Sequence, residues 1–110
     1  MENMMLKFQG FHPSDFTRSY LEDKMTILQH EAPYGAHMEA TFTRNSKTFK
    51  AIVTILSPAG KFFAVASGTK LKEVTHKINH QLQKQMDKWK EKMHRKERIR
   101  DLNDEFFGIA

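Results

Sequence analysis

The sequence contains no cysteine, only 3 prolines and 5 glycines in 110 residues, and no long apolar run. Without cysteine the chain forms no disulfide bond and offers neither a thiolate metal site nor a cysteine nucleophile. Residues 1–10 lack the apolar core of a signal peptide, and no segment approaches the roughly 20 apolar residues of a membrane span. We therefore expect a cytoplasmic protein that has no membrane partner.

Length and composition indicate one folded domain. Hydrophobic residues make up 39% and charged residues 28% of the chain, as in ordinary globular proteins. A chain of this length buries a single core of modest size. We expect one domain over residues 1–100 and a flexible C-terminal tail over residues 101–110, where acidic and aromatic residues replace the basic pattern.

Hydrophobic periodicity predicts the element order β-α-β-β-β-α. Apolar residues alternate with polar ones in the strands and recur three or four apart in the helices. The predicted strands cover 4–9, 38–43, 49–56 and 62–67, and the predicted helices cover 15–29 and about 70–93. The last three strands have short connections, so they should be antiparallel neighbours. The expected fold class is α+β, a four-stranded sheet with both helices packed on one face and the second helix overhanging it.

Positive charge is concentrated in the predicted second helix. Residues 70–100 contain eleven lysines and arginines and four acidic residues, a net charge of +7, whereas the rest of the chain carries −2. On a helical wheel, one flank beside the apolar stripe contains Lys70, Lys77, Lys84, Lys88 and Arg95. Such a flank can simply solvate the helix, but unpaired charge of one sign is typical of a surface that binds phosphates.

Candidate chemistry elsewhere in the chain is weak. His76 and His80 have the i,i+4 spacing of the zinc-binding His-Glu-x-x-His helix, but Lys77 stands where the general base would be, and no third ligand is apparent. The chain also lacks a recognisable nucleophile elbow and a glycine-rich phosphate loop. We expect no metal, no cofactor, no small-molecule substrate and no enzymatic activity.

Five segments stand in the order and spacing of one known family. They are LKFQG (6–10), YLEDKM (20–25), FKAIVTI (49–55), VASG (65–68) and LQKQMDK (82–88), the last followed by Lys92. Together they resemble the ribosome-associated inhibitor A and hibernation promoting factor family, also called sigma-54 modulation proteins, in its short form. Two segments depart from the family pattern: Lys70-Leu71-Lys72 replaces Asp-Met-Tyr, and Gln81 replaces a lysine.

The resemblance implies a translation inhibitor of the stress response that causes ribosome hibernation. It would bind the small (30S) ribosomal subunit in the mRNA and tRNA channel, where the basic faces of both helices would meet ribosomal RNA, and would be a monomer away from the ribosome. The candidate RNA-binding residues are Lys77, Lys84, Lys88, Lys92 and Arg95 of the second helix, with Arg18 and Lys24 of the first as secondary candidates.

Two other functions are compatible with the residues. A double-stranded-RNA-binding module has a related order of elements and reads the shape of A-form RNA. A protein-interaction domain could use the basic helix to bind an acidic partner. Binding to a plain RNA duplex, or a complex that survives nuclease treatment, would distinguish these functions from ribosome binding.

Overall fold

The computed structural model describes the backbone of residues 4–107 and the side chains of residues 4–94. The elements appear in the predicted order: β1 (Met4–Gln9), α1 (Asp15–Glu31), β2 (His37–Asn45), β3 (Thr48–Ser57), β4 (Gly60–Gly68) and α2 (Leu71–Phe107). The predicted α+β class is confirmed. Within the described part of the chain, neither helix is apolar enough over a sufficient length to cross a membrane.

The sheet has the strand order β1-β2-β3-β4 and is mixed. β2, β3 and β4 are antiparallel neighbours, as their short connections predict. β1 pairs with β2 in parallel, with Leu6 opposite Ala40 and Phe8 opposite Phe42. A parallel pair needs a crossover connection, and α1 provides it. The sheet edges are therefore β1 and β4.

The core lies between one face of the sheet and the two helices. The strands contribute every second residue, and each helix contributes one stripe. The buried sheet residues are Met38, Ala40, Phe42, Ala51, Val53, Ile55, Phe62, Ala64 and Ala66, and the buried helix residues are Leu21, Met25, Leu28, Val74, Ile78, Leu82 and Met86. Both helices therefore cover the same sheet face, as predicted, and the other face is left to solvent.

Local chemistry sets the ends of α1. The side-chain oxygen of Ser14 accepts a hydrogen bond of 3.2 Å from the backbone N–H of Thr17, which satisfies one free donor of the first turn. At the other end, Ala32 is extended (φ −73°, ψ 161°) because the next residue is Pro33, which disfavours helical backbone before it. The helix ends at Glu31, two residues beyond the predicted end.

α2 is longer than the periodicity predicted. The change to acidic and aromatic residues at Asp101 predicts the start of a tail, whereas the backbone is helical through Phe107. No glycine or proline interrupts the chain after Gly68 until Gly108, and extending an existing helix adds one hydrogen bond per residue. At about 1.5 Å per residue, 37 helical residues span roughly 55 Å, against roughly 30 Å for the nine residues of β4. α2 therefore overhangs the sheet, while the division of the chain at residue 100 stays a prediction.

Candidate nucleic-acid interface

The buried stripe of α2 determines where its lysines point. Val74, Ile78, Leu82 and Met86 have no exposed surface, so this side of the helix faces the sheet. The other sides are covered with exposed cations. These are Lys72, Lys77, Lys84, Lys88, Lys90 and Lys92. The predicted amphipathic pattern is confirmed, and the packed stripe holds these side chains around a fixed axis.

Lys77 is engaged within the protein. Its Nζ donates a hydrogen bond of 3.0 Å to the carbonyl oxygen of Ser67 on β4 and lies 3.2 Å from Glu73 Oε1. The i,i+4 spacing on α2 brings Glu73 and Lys77 together. Because the ammonium group already contacts Ser67 and Glu73, it has fewer free N–H donors for a phosphate of a bound RNA. An RNA contact from Lys77 stays a prediction.

Lys88 and Lys92 meet a third lysine at the turn between β3 and β4. A shallow depression there is lined by Ala59, Gly60, Lys61, Phe62, Gln85, Lys88, Trp89 and Lys92. The Trp89 ring stands edge-on to the Phe62 ring, with centroids 6.5 Å apart, and anchors α2 over the turn. The lining contains three lysines and no carboxylate, which makes the depression attractive to an anion.

A second basic surface lies in the cleft between α1 and α2. It is lined by Tyr20, Lys24, Lys72, Thr75, His76 and Asn79. Lys24 Nζ lies 5.7 Å from the centroid of the Tyr20 ring, within cation–π range. The Thr75 hydroxyl is already used, since it donates to the carbonyl oxygen of Leu71 at 2.7 Å. The cations of the cleft again face no carboxylate among its lining residues.

An exposed aromatic ring borders this cleft. Phe16, in the first turn of α1, is 83% exposed although its position fits the apolar pattern of that helix. Together with Thr17, Tyr20, Leu71 and Lys72 it lines a groove that continues the cleft. Aromatic rings beside lysines offer a base-stacking surface next to phosphate-binding groups.

The structure distributes the candidate residues over several places. Lys88 and Lys92 lie together with Lys61, and Lys24 lies with Lys72 and His76. Lys84 is exposed on α2, whereas the Arg18 guanidinium packs 5.3 Å from the Phe8 ring centroid on β1. The side chain of Arg95 lies outside the described residues. Among side chains 4–94, ion pairs join Lys77 to Glu73 and His37 to Glu39, and neither pair includes another lysine candidate.

Sequence reasoning did not select Lys61, Lys72 or His76 as binding residues. The helical wheel separates the two flanks of α2, but it does not tell which flank lies beside α1, so the pairing of Lys72 with Lys24 has no sequence signal. Lys61 stands in a turn far along the chain from Lys88. Within the described residues, no group of three or more potential ligand side chains is arranged to hold a metal ion.

Comparison with known proteins identifies a family whose members resemble this chain. The model of the family described as sigma 54 modulation protein / S30EA ribosomal protein matches residues 5–94. A search of curated proteins finds no match. A ribosomal subunit interface protein from Coxiella burnetii has a similar structure, with a TM-score of 0.66 at 20% identity over 79% of this chain and 96% of that chain.

The N-terminal domain of Protein Y from Thermus thermophilus is also similar, with a TM-score of 0.59 at 16% identity over 79% of this chain and 93% of that domain. At these identities the two structures support the fold alone. The family model matches the sequence itself, from β1 through all four strands and α1 to residue 94 of α2. The chain belongs to the sigma 54 modulation protein / S30EA ribosomal protein family.

Proposed function

We propose that this protein binds the small (30S) ribosomal subunit in the channel for mRNA and tRNA and represses translation by occupying it. The family is one of ribosome-associated proteins and is not an enzyme family, and a similar structure is described as a ribosomal subunit interface protein. Repression would be steric and electrostatic, without a cofactor or a chemical step. The physiological role would be ribosome hibernation.

The observation that carries the proposal is the concentrated positive charge of α2, with Lys24 of α1 beside it. Lys24, Lys72, Lys84, Lys88 and Lys92 belong to neither of the ion pairs among side chains 4–94. These ammonium groups repel one another, which raises the free energy of the unbound protein. A bound phosphate backbone neutralises them and removes this repulsion. Binding would release condensed counterions from the RNA, which makes affinity strongly dependent on salt.

The two basic surfaces suit different parts of an RNA ligand. The depression at Lys61, Lys88 and Lys92 is open and cationic, which suits a phosphate backbone in any sequence. The cleft at Lys24 and Lys72 combines cations with the exposed Phe16 ring of the neighbouring groove, which suits an unstacked base beside a phosphate. Ribosomal RNA supplies both kinds of feature over a surface as long as α2.

Sedimentation with isolated ribosomal subunits tests the partner. The protein should pellet with small subunits at a ratio close to one, should not pellet with large subunits alone, and should dissociate as salt rises. Cell-free translation should fall in proportion to the ratio of protein to ribosomes. Repression by far fewer molecules than ribosomes would indicate catalysis and would contradict the proposal.

The same preparation separates the alternative functions. Binding to a plain RNA duplex as tightly as to the small subunit would favour a double-stranded-RNA-binding module. A complex that persists after nuclease digestion of all RNA would favour an interaction with an acidic protein partner.

A further inference from the structure

β4 is an edge strand with a sequence that favours further pairing. Residues 62–66 read FFAVA, an apolar run without charge or proline. On the outer sheet face Phe63 is 47% exposed and Val65 is 37% exposed, next to Ile52, which pairs with Val65. An exposed edge of this composition is a ready template for another strand and a common origin of aggregation. A stable protein has to cover or blunt it.

Side chains of α2 bind the free edge of β4. The backbone N–H of Phe63 donates to Gln85 Oε1 at 2.9 Å, and Gln85 Nε2 donates to the Phe63 carbonyl oxygen at 2.6 Å. Gln81 does the same one helical turn earlier, accepting from the Val65 N–H at 3.2 Å and donating to the Val65 carbonyl oxygen at 2.9 Å. We call these four hydrogen bonds the amide ladder. Lys77 extends it by its bond to Ser67.

The ladder depends on a match between helix and strand spacing. Residues four apart on a helix are separated by about 6.0 Å along the axis, and residues two apart on an antiparallel strand by about 6.8 Å. α2 runs antiparallel to β4, so positions 77, 81 and 85 meet positions 67, 65 and 63 in turn. A glutamine amide offers both a donor and an acceptor on a long stem, which is what the backbone of a neighbouring strand would offer.

We propose that the amide ladder closes the β4 edge against a second copy of this chain. The edge is self-complementary: in an antiparallel pair centred on Ala64, Phe63 of each copy would face Val65 of the other. The four outward backbone groups of Phe63 and Val65 would then exchange their glutamine partners for the same number of strand partners. The apolar side chains of the outer face would be covered at the same time. Gln81 and Gln85 thus keep the chain monomeric.

The test compares the parent with Gln81→Ala/Gln85→Ala. Alanine favours the helix, so α2 should persist. Gln83→Ala is the matched control, because the Gln83 side chain makes no hydrogen bond with the described part of the chain. At low concentration, amide hydrogen exchange at Phe63 and Val65 should be at least tenfold faster in the double variant. At high concentration, analytical ultracentrifugation should show dimers of the double variant only.

Two further variants locate the contact. Adding Val65→Lys to the double variant should restore the monomer, since lysine on an edge strand opposes pairing. Gln81→Glu/Gln85→Glu keeps the acceptors for both N–H groups and adds charge, so it should stay monomeric. If the double alanine variant does not fold, Gln85→Ala alone is measured in the same two ways.

Three results would overturn the proposal. They are unchanged exchange at Phe63 and Val65, a folded ladder variant that stays monomeric at every concentration, and a dimer that persists after Val65→Lys.

Discussion

Reversing the charges of Lys84 and Lys88 should weaken ribosome binding and leave the fold intact. Both side chains are exposed, and neither belongs to an ion pair found among residues 4–94. In Lys84→Glu/Lys88→Glu the repulsion between the two positions is replaced by an equal repulsion. The new carboxylate at position 84 repels Asp87, and the one at position 88 repels Glu91 but attracts Lys92. Each such pair contributes about 0.2–0.5 kcal/mol, so stability should change by less than about 1 kcal/mol.

The effect on binding should be larger than the effect on folding. Two lost phosphate contacts, at up to about 1 kcal/mol each for exposed charges, correspond to binding that is weaker by up to about thirtyfold. The slope of log affinity against log salt should become shallower by roughly 1.4–1.8, because each contact releases about 0.7–0.9 of a counterion. Sedimentation with small subunits across a salt series measures both quantities.

The matched control is Lys7→Glu/Lys50→Glu. These lysines are exposed on the sheet face opposite the helices, and the pair of substitutions changes the net charge by the same amount. The control should bind more weakly only through the general loss of charge and should keep the parental slope. If the α2 variant is folded and its affinity and slope equal those of the control, Lys84 and Lys88 merely solvate the helix.

Three further predictions concern the scaffold that presents these lysines. Leu82→Ala should lower the free energy of unfolding by about 2–5 kcal/mol in urea titrations, because Leu82 is fully buried in the core. Gly10→Ala should destabilise by more than about 1 kcal/mol in thermal unfolding, because Gly10 has φ +81° and a Cβ there would collide with the carbonyl oxygen of Arg44. Ser14→Ala should cost about 1 kcal/mol by losing the cap of α1, and Ser14→Asp should restore most of it. Equal melting temperatures for Ser14→Ala and the parent would contradict the capping argument.

Local patterns predicted the elements because each period depends on neighbouring residues alone. The alternation at Met38, Ala40 and Phe42 and the spacing of Ile78, Leu82 and Met86 identify a strand and a helix whatever the rest of the chain does. The predicted end of α2, near residue 93, was wrong because helix propagation continues after the apolar stripe stops. Nothing in the acidic-aromatic composition of residues 101–107 prevents it.

Contacts between α2 and β4 could not be predicted from the sequence. Gln81 looked like a lost lysine and Gln85 like part of a family motif, whereas both bind the edge of β4. The i,i+4 spacing indicates Glu73 as a partner of Lys77, but it does not indicate Ser67, which lies within reach only because α2 runs antiparallel to β4. These contacts depend on how the helix and the strand are aligned in space, and the residue spacing within either element gives no information about that alignment.

The parallel pairing of β1 with β2 sets an order of folding. The antiparallel strands are joined by two-residue turns, whereas 27 residues, from Gly10 to Ala36, connect β1 to β2. Each doubling of a loop costs about 0.6 kcal/mol in closure entropy, so docking β1 costs roughly 2 kcal/mol more than docking β3 or β4. The β2–β4 meander should therefore form early in the folding transition state and β1 late. Substitutions of Leu6 should then accelerate unfolding and leave the folding rate nearly unchanged, so the N-terminal strand is the part of this domain that leaves first and returns last.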